Sequence, residues 1–127
     1  ARARQLLAEE RPFVLAGDYN VCPTDDDVCD PVAYAKDALC QPASRAAFRK
    51  LIYLGLTDAV HAINPAPGQY TFWDYQRNCW PLDQGLRIDH ILLSPQAADR
   101  LVDAGIDRGP RAHPRASDHT PVWCQLQ

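Results

Sequence analysis

The sequence has 127 residues, a mass of 14.2 kDa, 46% hydrophobic and 23% charged residues, which excludes a disordered chain, a collagen or a coiled coil. One domain with a real core fits that length. The net charge is −3 and the pI about 5.7, so bulk charge argues against a basic nucleic-acid binder without excluding one.

Residues 2 to 10 read as the tail of a helix with Leu6 and Leu7 on its apolar side, stopped by Pro12. ARARQLLAEERP is no signal peptide, because Glu9 and Glu10 stand where an apolar run should be. Phe13-Val14-Leu15-Ala16 is a continuous apolar run ending at Gly17, the pattern of a buried strand. Residues 20 to 42 carry Pro23, Pro31 and Pro42 and read as a long loop. Ser44 is the expected N-cap of a helix bearing Ala47, Leu51 and Leu54, which ends at Gly55. Leu56 to Ile63 reads as a short strand or turn, Tyr70 to Tyr75 as strand-like, and Leu86 to Leu93 as a buried strand. Pro95 opens a helical turn through Leu101, Val102 to Asp107 is a further strand, and Thr120 to Leu126 is the last. Strands and helices alternate, so the class is α/β or α+β. No apolar run reaches the roughly 20 residues of a bilayer span, so no membrane partner is expected.

The charges cluster. Asp25, Asp26, Asp27 and Asp30 lie close together, and without them the chain is slightly positive; Arg108, Arg111 and Arg115 form an opposite cluster. Five cysteines (Cys22, Cys29, Cys40, Cys79, Cys124) show neither CxxC nor zinc-finger spacing. They read as thiols of a cytoplasmic protein, with a bridge among Cys22, Cys29 and Cys40 as the alternative in an oxidising setting. The absence of Met, together with the helix-tail character of the first residues, leads us to expect a piece of a longer protein.

Four polar segments stand where strands end. In Gly17-Asp18-Tyr19-Asn20, Asp18 and Asn20 are two apart and face one side of a strand. The carboxylate can take a proton or a metal, and the amide can hold a phosphate oxygen or water. The bland alternative is an Asx turn. In Arg87-Ile88-Asp89-His90, Asp89 and His90 face opposite sides if this is a strand, and a buried Asp needs a partner, for which Arg87 or another Arg is the bland choice. In Ser117-Asp118-His119-Thr120, His119 suits acid–base work near neutral pH, an adjacent Asp can hold metal, and a distant Asp can orient the ring; the alternative is a surface histidine. His61, His90 and His113 lack such company and are read as bystanders. Thr71-Phe72-Trp73-Asp74-Tyr75 offers aromatics that stack on nucleic acid if exposed and form core if buried.

Taken in order, AGDYNVCPTDDDV, YLGLTDAVHAINP, YTFWDY, GLRIDHILLS, AGID and SDHTPVW resemble the exonuclease III branch of the endonuclease/exonuclease/phosphatase superfamily, the bacterial apurinic/apyrimidinic endonucleases. The resemblance runs from about Phe13 to the end. It implies that residues 1–127 are a single partial domain, the C-terminal half of a DNase I-like four-layered α/β sandwich with a mixed, mostly antiparallel sheet and flanking helices. It implies Mg²⁺-dependent (alternatively Mn²⁺-dependent) cleavage of double-stranded DNA at abasic sites, 3′-blocked ends and 3′ ends.

By the same resemblance Asp18 is the catalytic Asp that activates water or protonates the leaving oxygen, and Asn20 positions that water or Asp18. Asp89 orients His119, His119 stabilises the phosphate oxygen as charge builds, and Asp118 is a metal-site acid. Phe72 and Trp73 line the pocket for the flipped-out sugar. The family's metal-binding Glu, early Asn and catalytic Tyr belong to its N-terminal half, so none can be assigned here. His90 stands where an apolar residue or Tyr is usual, and the cysteine-bearing loop from Cys22 to Cys40 is idiosyncratic. The expectation is a weak or dead isolated chain with a sticky uncovered face, completed by oligomers, a swapped pair or the missing N-terminal half. Two other readings stay open: a phosphatase or phosphodiesterase of another branch, such as one acting on inositol phosphates or a sphingomyelinase, and a non-catalytic truncated module.

Overall fold

The computed structural model describes residues 2–75 and 78–127. Its centre is a three-stranded antiparallel sheet of β1 (Val14–Asp18), β2 (Thr57–Asp58) and β3 (Asp89–Leu93), in the order β1-β3-β2. A separate antiparallel pair joins β4 (Leu101–Ile106) to β5 (Val122–Leu126). Helices α1 (Arg2–Ala8), α2 (Pro42–Tyr53), α3 (Ala59–Ile63) and α4 (Pro95–Ala98) flank the sheets. The α/β class with antiparallel sheets and flanking helices is therefore borne out.

The sequence of β3 explains why it is central. A strand sends alternate side chains to opposite faces. Ile91 and Leu93 join Ala59, Val60, Ala97 and Ala104 in one core, while Leu92 joins Val21, Phe48 and Leu56 in another. Ile88, just before the strand, enters a third with Cys22, Val28 and Leu86. The apolar run is buried on both sides because it has a core on both sides.

β1 differs from its expected character. It is the sheet's edge strand, and Val14 is 42% exposed with Ala16 also open to solvent. Its apolar run is one that a second layer would cover, and none of the described residues does so. α2 starts at Pro42, two residues before the expected cap. Gln41 is the N-cap, and proline at the first helical position needs no backbone N–H there. Gly55 ends the helix as expected, at a φ of +113° that favours glycine. Tyr70 to Tyr75 is no full strand: Phe72 alone bridges Leu86 on one side and His119 on the other. All five cysteines are free thiols.

The loop from 20 to 42 is anchored more firmly than its composition suggests. Val21, Cys22, Asp27, Val28 and Cys40 are buried, and two short 3₁₀ turns (Asp25–Asp27 and Ala38–Cys40) break its length. Asp27 closes a capping box with Thr24 and also meets Arg87 at 2.6 Å. Arg87 reaches Asp58 at 2.8 Å with its other arm. Asp58 in turn caps α3 by accepting from the His61 N–H. One guanidinium, 4% exposed, thus ties the acidic loop, the start of α3 and the approach to β3. The negative cluster is not wholly a solvated surface.

Replacing Arg87 by Ala leaves two carboxylates, 9% and 10% exposed, without their counter-charge. We expect Arg87→Ala to lose about 3–5 kcal/mol of unfolding free energy in urea titrations. A loss under about 1 kcal/mol, the range of exposed pairs, would show that both carboxylates find water instead.

Candidate active site

The register of β1 against β3 sets the site. Asp18 stands directly opposite Asp89 in the antiparallel ladder, so both side chains leave the same face. Gly17, at φ +148°, supplies a backbone conformation that L residues rarely adopt just before Asp18. The Tyr19 N–H extends the ladder to the Ile88 carbonyl. Asn20 then turns at φ +51° and its N–H donates to Asp18 Oδ1 at 2.8 Å. The Asx turn is therefore real, and it fixes one oxygen of the carboxylate.

His119 arrives on the segment that leads into β5. The Trp73 N–H donates to the Asp118 carbonyl and the Thr120 N–H to the Thr71 carbonyl, so the residues on either side of His119 are pinned to the 71–73 segment. The ring lies between the acids: Nδ1 is 2.8 Å from Asp89 Oδ2, and Nε2 is 3.7 Å from Asp18 Oδ2 and 3.9 Å from Asp118 Oδ1. Nδ1–H is the donor to Asp89, since a carboxylate only accepts, which leaves Nε2 facing Asp18 and Asp118. Burial pulls the imidazole pKa down, but the Asp89 hydrogen bond and the charges of Asp89, Asp18 and Asp118 outweigh it and raise it above 6.5. Asp89 thus pairs with His119 and not with Arg87, which is taken by Asp27 and Asp58.

The metal question turns on donors. Asp18, Asp89 and His119 place one ligand atom each within 4.8 Å of one another, a group able to hold a cation. Asp118, the expected metal-site acid, lies beside this trio at 43% side-chain exposure. Mg²⁺ prefers one or two carboxylates and keeps several waters. The exposed carboxylates of Asp18 and Asp118 suit it better than Asp89, which is 17% exposed and engaged with His119.

Alternation separates the aromatic pair. Phe72 is half-buried with its ring 5.1 Å from that of His119, on the site's side. Trp73 has no exposed surface: its Nε1–H donates to Asp83, and its ring meets Trp80 edge-on at 4.8 Å. Trp73, expected to line a DNA pocket together with Phe72, is 0% exposed, and of the pair it is Phe72 whose ring stands beside His119. Nor are Arg108 and Arg111 a free basic patch. Arg108 pairs with Asp83 and lies over Trp73, while Arg111 is 5% exposed, donates to the Trp73 carbonyl and lies over Tyr75. His90 is buried too, its Nε2–H donating to the Val21 carbonyl at 2.8 Å; burial and then Arg87 lower its pKa, so it stays neutral. Sequence reasoning missed the structural parts of Arg87, Arg111 and Thr71. Only an unpaired charge in an apolar run, as at Arg87, signalled any of them.

The model of the endonuclease/exonuclease/phosphatase family matches residues 1–119. The chain belongs to that family. Exodeoxyribonuclease III of Haemophilus influenzae is 33% identical over 138 residues, taking in all of this chain and 52% of the relative. The DNA repair nuclease APEX1 of Danio rerio is also 33% identical, over 91% of the chain and 36% of the relative. Among solved structures, the 3′ phosphatase NExo from Neisseria bound to a product DNA hairpin superposes with a TM-score of 0.93 at 37% identity, over 98% of this chain and 48% of that one. An AP endonuclease from Archaeoglobus fulgidus superposes with a TM-score of 0.87 at 30% identity, over 97% and 52%. The chain spans about half the length of these nuclease relatives at most.

In the metal-free protein the His119 ring should titrate above 6.5, and Asp89→Asn should bring its midpoint down. Because the folded value is raised, the stability gained from the proton is complete below the unfolded value and fades as pH rises through the folded one. NMR of the His119 ring, with urea midpoints from pH 5 to 9, checks both. A midpoint at or below 6.5 would mean that burial wins.

Proposed function

We propose that this chain is the C-terminal half of a metal-dependent DNA phosphodiesterase of the exonuclease III and AP endonuclease type, cutting double-stranded DNA at abasic sites and processing 3′ ends. The observation that carries the reading is the Asp89–His119–Asp18 constellation, at 2.8 and 3.7 Å, in a chain whose relatives are named as DNA nucleases. Water adds to phosphorus, the P–O bond to the leaving sugar oxygen breaks, and that oxygen takes a proton. Protonated His119, oriented by Asp89, offers Nε2–H to a phosphoryl oxygen as negative charge grows on it. Asp18, its Oδ1 held by the Asn20 N–H, takes the proton from the water or supplies one to the leaving oxygen. Asn20 positions the water or Asp18, and Phe72 lines the sugar pocket beside His119. Mg²⁺, or Mn²⁺ in its place, with Asp118 among its ligands, would neutralise charge on the phosphate.

The rest of the machinery belongs to the proposed N-terminal half. The only glutamates here are Glu9 and Glu10, and neither is in the Asp/His group. Exposed Val14 and Ala16 on the open edge support a face that the N-terminal half covers. We therefore expect the 127-residue chain alone to be inactive. Five free thiols favour a cytoplasmic setting, and among the described residues no helix is long and apolar enough to cross a membrane. A second reading, removal of a 3′ phosphate, has specific support in the likeness to a 3′ phosphatase bound to its product DNA.

The test is cleavage of a duplex with one abasic site, and of a 3′-phosphorylated duplex, by the intact protein with Mg²⁺ or EDTA. We expect cleavage that EDTA abolishes and that His119→Ala lowers by about 100-fold or more. Turnover of soluble phosphate esters with no action on either duplex would move the protein to a phosphatase branch.

A further inference from the structure

Thr71 is a short polar residue with 0% exposure, and the proposed chemistry does not use it. Its Oγ accepts from two successive backbone donors, the Ile88 N–H at 3.1 Å and the Asp89 N–H at 3.2 Å. Its hydroxyl hydrogen points to the Leu86 carbonyl at 3.5 Å. Its own carbonyl accepts the Thr120 N–H at 2.8 Å, and its N–H donates to the Leu86 carbonyl. The same residue therefore touches the backbone of Asp89 and the backbone beside His119.

The topology explains why a hydroxyl is needed. β2 pairs with β3 only at Leu92 and Leu93, so it stops short of Ile88 and Asp89. The Asp89 N–H, which faces away from β1, has no strand acceptor on that side among the described residues, and buried N–H groups are almost always paired. A threonine side chain takes the place of the missing ladder. Where its oxygen sits decides where the Asp89 backbone sits, and the Asp89 carboxylate then meets His119 Nδ1 at 2.8 Å.

Resting on the reading of Asp89 and His119 given above, we infer that Thr71 is a positioning residue, whose hydroxyl holds the backbone of Asp89 in register with His119. It touches no substrate. Its loss should therefore change kcat and leave KM alone, because a small misplacement of a reacting group lowers the rate without changing binding.

The experiment compares Thr71→Val, Thr71→Ser, Asp89→Ala and His119→Ala in the intact protein. It reads kcat and KM on the abasic duplex, Tm, and the downfield NMR resonance of the His119 Nδ1 proton in metal-free protein. Thr71→Val should lower kcat about tenfold or more with KM within about twofold, and should shift or abolish the resonance as Asp89→Ala does. Thr71→Ser, which keeps the acceptor, should retain both. If Thr71→Val does not fold, Thr71→Cys, of similar size with a weaker acceptor, takes its place. An unchanged resonance and a kcat within threefold in the hydroxyl-free variant overturns the inference, as does a serine variant impaired as badly as valine. Failure of the underlying reading looks different: wild type and His119→Ala are equally inert on DNA, while the resonance still responds to Thr71.

Discussion

The pairing of β1 with β3 is the constraint on which the site depends. It sets Asp18 across from Asp89, and a slip of one residue would turn Asp18 to the opposite face. Several contacts hold the register. Ile91, Leu92 and Leu93 are locked into cores on both faces of β3. Tyr19 extends the ladder, donates its hydroxyl to the Leu15 carbonyl, and sets its ring edge-on to Phe48 and His90. His90 then bonds the Val21 carbonyl just beyond Asn20. His90 therefore clamps the strand end that carries the site. As a buried neutral ring it can do so without adding a second positive charge beside Arg87.

Two like charges directly opposite in a ladder repel, and a sheet with no functional demand would avoid them. Here the imidazole of His119 offsets the cost. It sits between the acids and is raised toward its protonated form by them. The same arrangement makes the site attractive to a cation, since three carboxylates converge on one ring. Proton and metal then compete for one negative pocket. Under the proposed chemistry, charge density that would destabilise a plain sheet would hold a phosphate oxygen and a cation close together.

Much of the fold was legible where local pattern and tertiary context agree. The apolar run of β3, the glycine stop of α2, and the polar residues at strand ends all follow from period, turn chemistry and composition. The differences arise where a residue's place depends on partners or competitors that its own residue type does not reveal. Trp73 reads as a ligand-facing aromatic until Trp80 and Asp83 are seen to enclose it. The acidic loop gives no local sign of its partner, Arg87, which reaches Asp27 from sixty positions on. Ser44 reads as a cap because serine favours that position, whereas Pro42 had already set the first turn. Thr71 carries no local signal at all: among aromatics it fits strand propensity, and only the shortness of β2 gives its hydroxyl work.

The open face of β1 and the exposure of the site are the same physical fact. Asp18 belongs to the edge strand, with its side chain 38% exposed, and His119 is 32% exposed beside it. At 3.7 Å in contact with water, their attraction is screened, and a dry surrounding would strengthen it several-fold. Val14 and Ala16, on the same strand, expose apolar surface that gains by being covered. A layer packed on β1 would thus contribute hydrophobic stabilisation along one stretch of the strand and lower the local dielectric at its end. Folding and catalysis would then draw on one act of burial, so that a sheet left open on this face is both less stable and electrostatically weaker at Asp18.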